Sequence, residues 1–240
     1  MTSDASPLQP DPTENRAALI GTLGESSLHA ALKSWYMRPG DQAEARVDGY
    51  YIDLERGELL IEFQTRHFDS IRLKLANLLE RHPLRLVYPV VKEKWIRRQS
   101  ASGDLLSRRK SPRHGTLVDI FSELMRIPHL LGHPHFTFEA LLITCEDVWQ
   151  DDKRGSWRRK YWSLVDRRLL NVEGSASFST LSDYTALLPT TLSNPFTNTD
   201  LAAAISCRQS MAQHMTYTLS RAGELKKVGK KGRAILYQRR

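Results

Sequence analysis

Asp53, Glu62 and Gln64 are the residues of this chain whose types and spacing most plainly suit chemistry. They lie in YYIDLERGELLIEFQT, residues 50–65, where two runs of alternating apolar residues flank Arg56-Gly57. A sheet needs none of these polar groups, and a helix packed over them would bury a carboxylate and an amide at a cost unless something pairs with them. Two carboxylates on one surface suit a divalent cation, since Mg²⁺ takes oxygen ligands at about 2.0–2.1 Å and often uses only one or two carboxylates. If Arg56-Gly57 form a two-residue loop, Glu55 faces Glu58. Gly49, Tyr51 and Asp53 then share a face with Leu60, Glu62 and Gln64, and Asp53 and Glu62 become diagonal neighbours, roughly 7 to 8 Å apart at Cβ. Asp48 points the other way in this register and is a reserve candidate, because a bulge at Gly49 would bring it round.

Such a site suits phosphodiester hydrolysis. The metal, Mg²⁺ or Mn²⁺, polarises the phosphoryl oxygen and acidifies a bound water, and a further group orients that water. Glutamine orients a water by hydrogen bonds but carries no positive charge, so a lysine from elsewhere is needed against the charge of the transition state. Lys74 is the candidate, because it sits beside the apolar stripe of the next helix and can snorkel toward the sheet.

The elements that must position these groups follow from periodicity. Leu28, Leu32 and Trp35 mark a helix closed by Pro39-Gly40. EARVDGYYIDL and ELLIEFQT read as two strands around Arg56-Gly57, FDSIRLKLANLLERH as a helix ending before Pro83, and LRLVYPVV as a buried strand. Further on, RRQSASGDLLSRRKSPRHGT reads as a basic loop or hairpin, LVDIFSELMRI as a helix and FTFEALLITCEDVW as a strand. STLSDYTALLP reads as a helix leading to Pro189.

Asp53, then Glu62-Phe63-Gln64 after a turn, followed by a helix and a buried strand and preceded by Glu25, resembles the PD-(D/E)XK nuclease superfamily. The resemblance covers residues 20–95. It implies that Glu25, Asp53 and Glu62 organise divalent metal and that the last motif position helps to place the attacking water. Gln64 stands where lysine is usual, which leaves an inactive restriction-like domain in a DNA-binding regulator or adaptor as the alternative to an endonuclease. Glu25 also completes a capping box with Thr22, and both readings stand. His129, His133 and His135 match no familiar zinc spacing and take no role.

Charge points to the partner. The net charge is +8 over 240 residues, and the basic residues fall in blocks around Lys92–Arg98, Arg108–Arg113, Arg154–Lys160 and Lys226–Arg233. Nucleic acid is the expected ligand. From Thr191 onward nine basic residues stand against Asp200 and Glu224. There, a helix capped at Thr199, a second helix with Met211, Met215 and Leu219 ending at Gly223, and a lysine-rich pair of short strands resemble a winged helix-turn-helix. That likeness implies double-stranded DNA, with Arg208, Gln209 and Gln213 entering a groove and Lys226, Lys227, Lys230, Lys231 and Arg233 lying on the backbone.

The expected fold is α/β: a restriction endonuclease-like mixed sheet flanked by helices, with a small C-terminal winged-helix domain. Residues 1–15 read as a disordered tail, 16–150 as the nuclease-like domain, 151–190 as a connecting helical segment and 191–240 as the DNA-binding domain. No apolar run reaches membrane-spanning length, and the first fifteen residues lack the basic and apolar regions of a signal peptide, so a cytoplasmic chain is expected. Cys145 and Cys207 are too far apart in sequence to suggest a disulfide framework. Cutting both strands of a duplex with one site per chain implies a homodimer.

Overall fold

A computed structural model describes residues 27–240. The tail, and Glu25 with its Thr22 box, lie outside the described residues. The first described helix, α1 (Ser27–Tyr36), buries Leu28, Leu32 and Tyr36 at intervals of four, so one stripe faces the sheet. A meander of β1 (Gln42–Val47), β2 (Tyr50–Arg56) and β3 (Leu59–Phe63) follows. Helix α2 (Phe68–Leu79) then crosses over to β4 (Leu84–Gln99), which runs parallel to β3.

The meander corrects the expected hairpin in two ways. EARVDGYYIDL is two strands, not one, because Asp48 and Gly49 (φ 49° and 84°) form an Asp-Gly turn with both residues in the left-handed region that such tight turns require. The second reversal uses Gly57-Glu58 rather than Arg56-Gly57, with Arg56 paired to Leu59. Gly57 takes the position that needs positive φ (57°), while Arg56 is held in the strand by two hydrogen bonds to Asp41, at 2.8 and 2.7 Å. The register therefore moves by two residues, and period two keeps Leu54 on one face with Ile61 and Phe63, away from Leu60.

Beyond β4 come β5 (Leu105–Lys110), a 3₁₀ turn (Leu117–Ile120) running into the single turn α3 (Phe121–Leu124), and β6 (Phe136–Gln150). Next are β7 (Ser163–Phe178) and the short α4 (Leu181–Thr185). The sheet order is β1-β2-β3-β4-β6-β7, with β5 paired to the far half of β4. Residues 151–190 are thus not a helical connection. Their main element is a sixteen-residue edge strand paired antiparallel along β6, from Phe138↔Phe178 to Gln150↔Ser163. One side of an edge strand is solvated, so β7 lacks the continuous apolar run that marks a buried strand.

Neighbouring residues on the central strands feed opposite faces. Leu54, Ile61, Phe63, Val87 and Leu141 pack under α1, whereas Leu60, Leu86, Phe138 and Ala140 join Leu75, Leu78 and Leu79 of α2. Phe138 has ring centroids 6.2, 6.2 and 6.0 Å from Phe68, Tyr88 and Phe178. Phe138→Ala is expected to cost about 3–5 kcal/mol, read by urea unfolding.

The C-terminal segment comprises α5 (Asn198–Ala204), α6 (Gln209–Arg221) and the hairpin β8 (Leu225–Lys231) with β9 (Ala234–Arg239). Phe196 bridges to Tyr237. The cap of α5 is Thr197, not Thr199. Thr197 Oγ1 accepts from Asp200 N at 3.2 Å and its own amide donates to Asp200 at 2.8 Å, a reciprocal box that Thr199 has no partner three residues on to form. Ala212, Met215 and Leu219 of α6 belong to the same buried cluster as Phe121, Phe138 and Tyr184. The boundary at 191 therefore divides the chain in sequence but not the core. No helix among the described residues is long and apolar enough to cross a membrane.

Candidate active site

The two acids meet where the β2–β3 ladder ends. Its last pair is Leu54↔Ile61, one step short of Asp53 and Glu62, and that register carried one step further sets the two acids across from each other rather than diagonally. Beyond that point, Phe63 N–H donates to the Asp53 carboxylate at 2.8 Å instead of continuing the backbone ladder. Strand β2 turns over here: Leu54 packs with Ile61 and Phe63, but Ile52 packs with Leu60 on the other face.

Each acid is attended by cations from a different helix. On the α1 side, His29 Nε2 lies 3.2 Å and Lys33 Nζ 3.5 Å from Asp53 Oδ1, and Lys33 also bonds Glu44. On the α2 side, Lys74 Nζ lies 2.7 Å from Glu62 Oε2 and donates to Tyr51 O at 2.5 Å. Burial works against charge on Asp53, but the His29 hydrogen bond first, then the His29 charge, the Phe63 amide and Lys33, hold its carboxyl below the usual range. Glu62 goes the other way. Its burial first, and the charge of Asp53 second, push it up to about 7 against the pull of Lys74. Two neighbouring carboxylates with opposed shifts are a common signature of a site that handles protons or cations.

The shift of Glu62 has a consequence for stability. A carboxylate whose folded value lies above its unfolded 4.5 holds a proton between that value and about 7 that the unfolded chain has released. Stability from this group is therefore greatest below the window and falls as pH rises through it. Glu62→Gln keeps the shape and removes the titration. In metal-free buffer it should flatten the decline and be more stable than wild type at about pH 8, by up to about 3 kcal/mol in urea unfolding.

The structure brings Asp53, Glu62 and Lys74 together, as their spacing led one to expect. Gln64 is not gathered with them: its Nε2 donates to Arg66 O at 2.6 Å and reaches His67 O at 3.4 Å, because the loop entering α2 turns back there, with His67 at φ 60°. Asp48 is excluded as the alternative acid by its place in the β1–β2 turn, where it pairs with His82 at 3.0 Å. His29 and Lys33 were not foreseen. Their one visible signal is the i, i+4 spacing beside Leu28 and Leu32, which sets both next to the buried stripe of α1.

Among the described residues no three His, Cys, Asp or Glu side chains converge as a metal cluster. Asp53 and Glu62 are the oxygen donors here that could hold a hard cation of the Mg²⁺ type. Such an ion needs only one or two protein carboxylates when phosphate and water oxygens fill the rest, and it would relieve the mutual repulsion that raises Glu62. At the other end of the chain, Arg208, Gln209 and Gln213 are exposed on and just before α6; Lys230, Lys231 and Arg233 are exposed at the hairpin tip, and Lys226 and Lys227, expected there too, are exposed at its open end.

No solved structure matches the chain. A similar chain is an uncharacterized protein of Treponema pallidum (strain Nichols), 31% identical over 224 residues that cover 92% of this chain and 87% of the relative. The profile of the family described as Domain of unknown function (DUF8091) matches residues 26–179, from the start of α1 through β7, and so takes in both carboxylates and their attendant cations. On that match the chain belongs to the DUF8091 family.

Proposed function

We propose that this protein is a Mg²⁺- or Mn²⁺-dependent DNA endonuclease, with Asp53, Glu62 and Lys74 at its centre. The observation that carries the reading is the pair of neighbouring carboxylates, Asp53 and Glu62, just past the end of the β2–β3 ladder, with Lys74 Nζ 2.7 Å from Glu62. The order α1, β2–β3, α2, β4 around these residues supports a restriction endonuclease-like core. When bound, the metal supplies a polarised phosphoryl oxygen and an acidified water. Asp53 and Glu62 would hold that ion, and His29 and Lys33 favour the ionised form of Asp53 that would receive it. Lys74 supplies from the helix the positive charge that Gln64 cannot supply from the strand. The α5–α6 pair and the lysine-rich hairpin act as a winged helix that holds duplex DNA, with α6 toward a groove and the hairpin on phosphates.

The test is conversion of supercoiled plasmid to nicked circles in Mg²⁺ or Mn²⁺, comparing wild type with Glu62→Ala. Nicking by wild type alone supports the reading. A second reading, a DNA-binding regulator without activity, is favoured by the engagement of Gln64 with loop carbonyls. It would be upheld by DNA that is bound but left intact by wild type with both metals.

A further inference from the structure

The far halves of β4, β5 and β6 carry a second constellation, remote from the carboxylates. Arg109 pairs with Ile96 across β5 and β4, and Arg98 pairs with Trp149 across β4 and β6. The segment before β7 adds Arg159 and Trp162 to this row, and these six side chains together with Lys94 line a pocket of 220 Å³. The Arg98 guanidinium lies 5.1 Å from the Trp162 ring centre and that of Arg159 lies 5.2 Å from Trp149, so cation and indole order one another.

Charge here is uncompensated. Asp147, paired with Ile96 across β4 and β6, is already bound by Arg167 at 2.5 Å and Lys94 at 3.0 Å, and Glu146 by Arg108 at 2.6 Å. Arg98, Arg109 and Arg159 make no ion pair with any carboxylate among the described residues, and all three are exposed. A concave site with an apolar and indole floor and three unmatched guanidinium groups at its rim selects a ligand that is planar and anionic at once. A duplex presents its phosphates but keeps its base faces stacked, whereas an unpaired strand offers both.

We infer that this pocket binds single-stranded DNA, taking an unstacked base between Trp149 and Trp162 and its phosphates on Arg98, Arg109 and Arg159. Gln64 N bonds Val87 O, and Arg98 is eleven residues further along β4, which at a strand rise of roughly 3.3 Å puts the pocket roughly 35 Å from the carboxylates. It shares Lys94 with a cleft of 250 Å³ whose wall includes Thr65, the residue after Gln64. The pocket and the cleft thus meet at Lys94. The inference concerns binding alone and does not rest on the carboxylates cutting anything.

Fluorescence anisotropy of the full chain in EDTA tests it, using a labelled oligothymidylate of about 16 nucleotides and a mixed-sequence duplex of equal length. Wild type should bind both. Trp162→Ala should weaken the single strand about tenfold and leave the duplex unchanged, while Trp162→Phe retains most of the affinity. Trp157→Ala, in the same segment but outside the pocket and 71% exposed, should change neither. If Trp162→Ala does not fold, Arg109→Glu on the solvent-facing β5 reads the same pocket, with about a tenfold loss on the single strand expected. Failure of wild type to bind the oligothymidylate, equal losses on single strand and duplex, or an equal effect of Trp157→Ala would each overturn the assignment.

Discussion

Glu62→Ala should leave supercoiled plasmid uncut in Mg²⁺ and in Mn²⁺ while duplex DNA still binds, a fall in nicking rate of roughly 10³-fold or more. The size follows from the geometry. Removing Glu62 takes away one of two neighbouring carboxylates, and it leaves Lys74 with Tyr51 O as its partner among the described residues. Lys74→Ala removes one charge donor and keeps both acids, so a smaller loss, about 10²-fold to 10³-fold, is expected. Gln64→Ala should lose less than Lys74→Ala, because the Gln64 amide is already bound to the Arg66 carbonyl. The reverse ranking would return the catalytic role to the strand position. Glu62→Gln guards against a folding artefact: it should lose activity like the alanine variant yet be at least as stable as wild type above about pH 7. Nicking by Glu62→Ala at the wild-type rate would remove the carboxylate pair from any mechanism.

The carboxylate pair was legible in sequence even though the turn was misplaced, and the reason is physical. A hairpin register that slips by two residues returns each side chain to the same face, so Asp53 and Glu62 stay together whether Gly57 is the first or the second turn residue. The Asp48-Gly49 turn was there to be read, since Asp-Gly between alternating apolar runs is a strong hairpin signal. Reading EARVDGYYIDL as one strand merged β1 with β2. Strand β7 was less legible: its mixture of Asp166, Arg167, Arg168 and Glu173 with Leu169 and Val172 shows neither strict alternation nor a continuous apolar run. Only its pairing along β6 fixes it as a strand. The approach of His29 and Lys33 to Asp53 depends on how α1 crosses the sheet, which local periodicity does not encode. The direction of Gln64 is set by a loop with His67 in a left-handed conformation, equally beyond periodicity.

Replacing Lys230, Lys231 and Arg233 together with alanine should weaken duplex binding and, more tellingly, flatten its dependence on salt. Each phosphate contact releases about 0.9 of a counterion, so the slope of log affinity against log salt should become shallower by up to about 2.7 if all three residues touch phosphate. Anisotropy titrations of a short duplex across a KCl series measure both quantities. These side chains are exposed at the tip of the hairpin, where substitution changes folding stability by only about 0.5 kcal/mol or less, so lost binding would not reflect an unfolded module. An unchanged slope would show that the hairpin does not lie on the DNA backbone, and the winged-helix assignment would fail with it. The choice of salt slope over affinity alone matters because the chain carries a net +8 spread over several blocks. Any cation removed from such a protein lowers affinity somewhat by long-range attraction, but only a residue in contact with phosphate removes its share of released counterions. The slope therefore separates contact from field. It also separates the hairpin from the tryptophan pocket, where stacking supports part of the single-strand affinity and loss of an indole should weaken binding without changing the slope.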